Sequence, residues 1–265
     1  MRIARGISIA NASKPISTAI VYDTDAVAFF TAASITDTTQ KSAVNTLVLS
    51  LKSANIWTKM KALYPVVGGV ASAHAVNLKQ PGTYNLSFAT GWTHASTGMT
   101  PNGATYADTS LIPSSALSIN STHISYYSRT NNDTGIDIGI NSNNTFGRLY
   151  SYIRLGNLFG GRNNNTTSGE KSIANTNGLG HYINNRIDSG NIKLIKNEVI
   201  NTIALTSNGL DTSQISIGAV FSISAYAYGS KQCAFASIGD GLSDAEALSF
   251  YNAVQTYQTT LGRQV

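Results

Sequence analysis

Hydrophobic and polar residues follow three different rhythms along this chain. Near the start they alternate around Ile7, Ile9, Ile20 and Tyr22, with Pro15 interrupting the run, which predicts an N-terminal arm or edge strand over residues 1–30. From residue 36 the spacing becomes helical: Val44, Leu47, Val48 and Leu51 share one face, and Thr36 or Asp37 can cap the helix in front of them. Trp57, Met60 and Leu63, three apart, extend the helical segment to residues 37–63, with Trp57 read as packing, and Pro65 with Gly68 and Gly69 ends it.

Beyond Gly69 the rhythm is that of short strands separated by turn signals. Candidate strands cover residues 84–90, 122–129, 136–140, 149–155, 181–187, 191–196, 199–206, 215–227 and 234–238, and Ile136, Ile138 and Ile140 alternate as a half-buried strand should. Nine segments are too many for one flat sheet, so two packed antiparallel sheets are expected. Asn102-Gly103, Asn177-Gly178 and Asn208-Gly209 are the expected tight turns. A last helix is marked over residues 243–261: Ser243 and Glu246 have capping-box spacing, and Ala247, Phe250, Tyr251, Val254, Tyr257 and Leu261 form one apolar face. That face must dock on the helical segment at 37–63 or on an open end of the sandwich. No repeat or linker divides the rest, so residues 31–265 read as one domain behind the arm.

Composition strengthens the β reading. Charged residues are only 12% of the chain, so polarity comes from Ser, Thr, Asn and Gly, which favour turns and exposed strand faces over helix interiors. The net charge of +5 is carried by scattered Lys and Arg. Lys52, Lys59 and Lys61, the nearest to a cluster, fit the solvated face of a helix, so no nucleic-acid partner is expected. No window approaches a membrane span, and the apolar stretch behind Met1 is broken by Asn11, Ser13, Lys14 and Pro15, unlike a signal peptide. Cys233 is the single cysteine, which excludes an internal disulfide and fits assembly in a reducing cytoplasm.

The inventory of reactive groups argues against catalysis. Glycosidases commonly set two carboxylates across a sugar, yet the chain has only Glu170, Glu198 and Glu246, placed respectively in an Asn- and Gly-rich loop, a hairpin turn and a helix cap. His74, His94, His123 and His181 stand alone, without metal-ligand spacing, and Cys233 lies in a predicted strand as a buried thiol. Gly239-Asp240-Gly241 lacks the setting of a dinucleotide site, and Asp240 with Asp244, or Asp133 with Asp137, suit turn and cap roles better than calcium binding. No cofactor or metal is expected.

Aromatic residues give the best binding signal. Trp92, in Gly91-Trp92-Thr93-His94, is joined by Tyr106, Tyr126, Tyr127, Tyr150, Tyr152, Tyr226 and Tyr228. An exposed ring can cover the apolar face of a sugar while amides, carboxylates and guanidinium groups address its hydroxyls; the competing role for a pair such as Tyr150 and Tyr152 is packing on one strand face. Trp92, Tyr106 and Arg129 are the candidate glycan-contacting residues.

Two stretches carry a resemblance. Residues 234–246, Ala-Phe-Ala-Ser-Ile-Gly-Asp-Gly-Leu-Ser-Asp-Ala-Glu, resemble the closing strand, Gly turn and helix of concanavalin A-like or laminin G-like jelly rolls. Residues 56–69, continuing to Asn77-Leu78-Lys79, are similar to virion proteins of tailed bacteriophages, especially phages of Bacteroidetes, that carry such a domain. With the Tyr126-Tyr127 strand, the likeness spans about residues 30–265. It implies a lectin-like antiparallel jelly-roll sandwich in a tail fibre, head fibre, spike or decoration protein, assembled in the host cytoplasm and released by lysis. It further implies other virion proteins and host surface glycans as partners, and a homo-oligomer, commonly a trimer. The calcium-binding pattern of legume lectins is not recognisable in the sequence.

Overall fold

The computed structural model describes residues 20–142, 147–166, 169–222 and 225–265. Three long helices are α1 (Thr24–Ala32), α2 (Thr38–Ser53) and α3 (Asp244–Thr260). The strands, in chain order, are β1 (Met60–Tyr64), β2 (Ser87–Phe88), β3 (Trp92–Ala95), β4 (Gly98–Pro101), β5 (Ala107–Asp108), β6 (Thr122–Ser128), β7 (Ile138–Ile140), β8 (Arg148–Leu155), β9 (Leu158–Asn165), β10 (Lys171–Ala174), β11 (Gly180–Arg186), β12 (Asn191–Lys196), β13 (Val199–Ala204), β14 (Ser216–Ile217), β15 (Ala219–Ser222), β16 (Ala225–Tyr228) and β17 (Cys233–Gly239).

Two antiparallel sheets pack face to face, as the strand rhythm predicted. The first has the order β13-β12-β11-β6-β17-β4-β3, with β1 also paired to β17; the second runs β10-β9-β8-β7-β14-β5-β2. Ile124, Tyr126, Ile192, Leu194, Ala236 and Ile238 of the first sheet meet Ile138, Ile140, Leu149, Ile153, Phe159 and Ile217 of the second in one apolar layer. A ribbon of β15 and β16 forms a separate two-stranded unit. The protein is mainly β, an antiparallel jelly-roll sandwich.

The central strands of the first sheet, β6, β11 and β17, are buried on both faces, because the helices cover their outer side. Val44, Leu47, Val48 and Leu51 of α2 and Phe250, Val254 and Tyr257 of α3 pack with Tyr127, Ile183, Ile195 and Phe235 of the sheet. This is why β6 and β17 are buried at every position and read as continuous apolar runs instead of alternating ones. Both predicted helix starts hold. Asp37 caps α2 by accepting from the Gln40 amide at 2.8 Å, and Ser243 with Glu246 forms the capping box, Glu246 Oε2 accepting from the Ser243 amide at 2.7 Å.

Three expectations need correction. The second helical piece at 57–63 is a single 3₁₀ turn, Trp57–Lys59, followed by strand β1 paired to β17. A bulge between Met60 and Ala62 keeps Met60 and Leu63 on the helix side while Ala62 and Tyr64 face the sandwich, so a strand buried on both faces mimics a three-residue helical spacing. Within the expected arm, residues 1–19 lie outside the described residues, and residues 24–32 form α1, which buries Phe29 and Phe30 and is tied to α2 by Lys52 pairing with Asp23 and Asp25 at 2.7 and 2.6 Å. The expected tight turns at Asn102-Gly103, Asn177-Gly178 and Asn208-Gly209 fall in the longer connections β4–β5, β10–β11 and β13–β14, whereas Gly156-Asn157, both at positive φ (60° and 58°), closes the tight hairpin between β8 and β9.

Candidate functional site

A groove opens on the outer face of the second sheet, where strand alternation sorts the side chains. Ala107 of β5 and Ile217 of β14 pair with each other and point into the sandwich, so Tyr106, Asp108 and Ser216 project outward. The ribbon supplies the opposite wall: Tyr228 forms a parallel bridge with Ile136, and this places Phe221 and Tyr226 beside Tyr106. Tyr106, Asp108, Ile140, Ser213, Gln214, Ser216, Phe221 and Tyr226 enclose a cavity of about 170 Å³. This is well below the roughly 300 Å³ and upward of drug-sized pockets, and of the order of one sugar ring.

Its aromatic wall is ordered. Tyr106 and Tyr226 stack with ring centroids 4.5 Å apart and an interplanar angle of 11°, Tyr228 continues the stack at 5.5 Å, and Phe221 meets Tyr226 edge-on at 5.1 Å. All four rings are partly exposed. Burial first, and then the neighbouring Tyr106 hydroxyl, pushes the Tyr226 phenol up to about 12, so it remains a hydrogen-bond donor at neutral pH. Opposite the rings, the Gln214 amide donates to both Asp108 carboxylate oxygens at 2.6 and 2.8 Å, while the Ser110 backbone amide donates to Oδ1 at 2.8 Å. A carboxylate held in this way presents fixed acceptors, and the Ser213 hydroxyl and Tyr226 phenol add neutral donors and acceptors around one apolar face.

The three candidate residues do not converge. Tyr106 is in the groove. Trp92 is tucked at the edge between the sheets, 5.4 Å from Phe88 and over Gly218, so its ring packs instead of facing this groove. Arg129 lies at the end of β6, where its guanidinium donates to the Arg263 carbonyl at 2.8 Å and to Gln232 Oε1 at 3.0 Å, tying the segment after α3 to the sheet. Tyr226 and Tyr228 stood among the aromatics of the sequence, but the ribbon that brings them to Tyr106 had no signal, because residues 215–227 read as one strand. Gln214 and Ser213 were missed altogether; only proximity across the β5–β14 pairing reveals them.

The remaining polar groups serve the fold. Lys231 and Asp137, both buried, pair at 3.2 Å between the sheets, and burial pushes the Asp137 carboxyl up to about 6. Asp240 pairs with Lys61 at 3.1 Å, Asp244 with Lys193, and Asp133 accepts from the Gly156 amide at 2.7 Å. No group of three or more His, Cys, Asp or Glu is placed to hold a metal ion among the described residues. His74 and His94 approach Nδ1 to Nδ1 at 2.9 Å, and the Cys233 thiol is buried and pushed up to about 12.

No protein-family model and no curated protein matches the sequence. Solved structures do match in shape. The binding domain of Paraclostridial Mosquitocidal Protein 1 aligns with a TM-score of 0.51 and 14% identity over 74% of this chain and 52% of that one. A mutant of HCR/D aligns at 0.50 and 12% over 75% and 53%, and the botulinum neurotoxin serotype D binding domain at 0.49 and 13% over 75% and 52%. This chain therefore spans about half the length of those proteins. At such identities the likeness concerns the fold.

Proposed function

We propose that this protein is a non-catalytic, glycan-binding module whose ligand site is the Tyr106–Tyr226 groove. The observation that carries the reading is the stacked pair of partly exposed tyrosines facing a carboxylate clamped by Gln214, in a cavity of about 170 Å³. Ring faces suit the C–H face of a sugar, and Asp108, Ser213 and the Tyr226 hydroxyl suit its hydroxyl groups. Among the described residues the groove is lined by a single carboxylate, Asp108, whereas glycoside hydrolysis commonly requires two facing each other, which supports binding over cleavage.

We further propose that the module acts within a bacteriophage particle, as a fibre, spike or decoration protein that meets host surface glycans. This rests on the resemblance of residues 56–69, continuing to Asn77-Leu78-Lys79, to phage virion proteins that carry a lectin-like domain, beside the resemblance of residues 234–246 to the closing strand and helix of such jelly rolls. Mass spectrometry of purified particles tests it: the chain is expected among virion components, and its absence from virions overturns the assignment.

A glycan array followed by titration calorimetry tests the groove. Wild-type protein should bind a subset of sugars, and Tyr226→Ala and Asp108→Ala should each weaken binding at least tenfold while Trp92→Ala has a smaller effect. An empty array, or binding lost in Trp92→Ala and kept in Tyr226→Ala, overturns this site.

A further inference from the structure

Strand β13 is a six-residue edge of the first sheet without the usual guards against pairing. Its inner side makes an unbroken ladder with β12, from Asn191 opposite Ala204 to Lys196 opposite Val199, and no described strand pairs with its outer side. Its sequence, Val-Ile-Asn-Thr-Ile-Ala, contains no charge, proline, glycine or bulge, the features that normally protect an edge. The other edges are shorter: β10 has four residues and opens at Lys171, β2 has two, and β3 has four. Val199 is 63% exposed at the start of β13.

We propose that β13 is the self-association edge of this protein, two copies joining antiparallel about a two-fold axis through Asn201 so that the first sheet runs through both. The side-chain pattern selects this partner and register. Ile200 packs toward the helices and Ile203 toward the inter-sheet layer, so odd-numbered positions face the sandwich and even-numbered ones the helices. Two copies that keep helices on one side must pair residues of equal parity. Centring on Asn201 sets Val199 of one copy against Ile203 of the other, Ile200 against Thr202, and the two Asn201 amides face to face. Centring on Thr202 instead would set Val199 against Leu205, which is 2% exposed and turned into the core. In the Asn201 register the flanking charges, Glu198 and Lys196, fall opposite Ala204 and Thr206, so no like charges meet. A chemically different strand would need its own matching pattern; a second copy already has it.

Light scattering behind size exclusion tests this at on the order of 100 μM, where micromolar association is saturated. The expected mass is twice the 28.0 kDa chain. Asn201→Lys sets two ammonium groups against each other on the axis and should return the mass to one chain with an unchanged circular dichroism spectrum. An equal mixture of Asn201→Lys and Asn201→Glu should restore the dimer. Should Asn201→Lys unfold, cross-linking decides: Asn201→Cys should form a reducible dimer on mild oxidation and Thr259→Cys should not, against the silent background of buried Cys233. A monomeric or trimeric wild type, a dimer indifferent to Asn201→Lys, or no cross-link at Asn201→Cys overturns the proposal.

Discussion

Acidification should destabilise this protein well before its surface carboxylates titrate, because three imidazoles are locked in the core. Burial is the largest cause in each case: it takes His74 and His181 down to about 3 and His123 to about 4, from an ordinary value of 6.5. Their folded values lie below the unfolded one, so between roughly pH 3 and 6.5 the unfolded chain binds more protons and stability falls as pH falls. About pH 5 lies roughly 1.5 units below the unfolded imidazole value, so each buried imidazole costs about 2 kcal/mol there at 1.36 kcal/mol per unit, or about 6 kcal/mol together. Asp137 acts in the opposite sense. Burial raises its folded value to about 6 from 3.8, so the native state takes up its proton first and returns about 1 kcal/mol at about pH 5. The net expected loss between about pH 7.5 and about pH 5 is therefore roughly 4–5 kcal/mol, a large part of a typical domain's stability. Urea unfolding followed by tryptophan fluorescence at the two pH values measures it. His181→Phe isolates one share: neither ring nitrogen of His181 has a partner among the described residues, and Tyr127, Phe235 and Phe250 surround it. A phenyl ring should remove about a third of the imidazole contribution to the pH dependence and raise stability at neutral pH by about 1–3 kcal/mol. A folding free energy that changes by less than about 1 kcal/mol over this range would refute the reasoning, since it would mean the imidazoles protonate in the folded state.

Other perturbations follow from single contacts. Lys231→Met removes the cation that offsets burial at the Asp137 carboxylate and should cost about 1–3 kcal/mol at neutral pH in urea unfolding. Ser243→Ala removes one half of the α3 capping box and should cost about 1 kcal/mol by the same measurement. Gly139→Ala would put its Cβ 2.3 Å from the Leu149 carbonyl and the Tyr150 Cα, at a φ of +137°, so the variant should melt several degrees lower or fail to fold, as differential scanning calorimetry would show.

The legible parts of the fold were those with one buried face or a cap. Helix α2 announced itself through Val44, Leu47, Val48 and Leu51, α3 through Ser243 and Glu246, and the hairpin of β12 and β13 through apolar runs on either side of Glu198. What stayed hidden depends on distant partners. Strand β9 runs Leu158–Asn165 with Gly160, Gly161 and three consecutive asparagines, a composition that reads as loop. In the fold Asn163 and Asn164 are buried because their amides donate to the Thr122 carbonyl and hydroxyl at 3.3 and 3.0 Å, and Tyr152 lies across Gly160, which has no side chain to obstruct it. The groove was half legible for the same reason. Tyr106 could be selected as an exposed aromatic beside a strand, but Gln214 becomes meaningful only when the pairing of Ser216 with Asp108 brings two segments a hundred residues apart together.

The position of β17 has a consequence for how the chain acquires its shape. This strand lies between β6 and β4 and also holds β1, so residues 233–239 join segments that begin near residues 60, 98 and 122. Until they arrive, β1 has no partner and β6 is paired on one side alone, to β11, so apolar positions of both stand open. Contacts this distant in sequence make for slow assembly from an intermediate prone to stick to its own kind. In refolding, the yield should fall with rising protein concentration, and a fragment stopped before residue 233 should aggregate instead of populating a smaller stable fold.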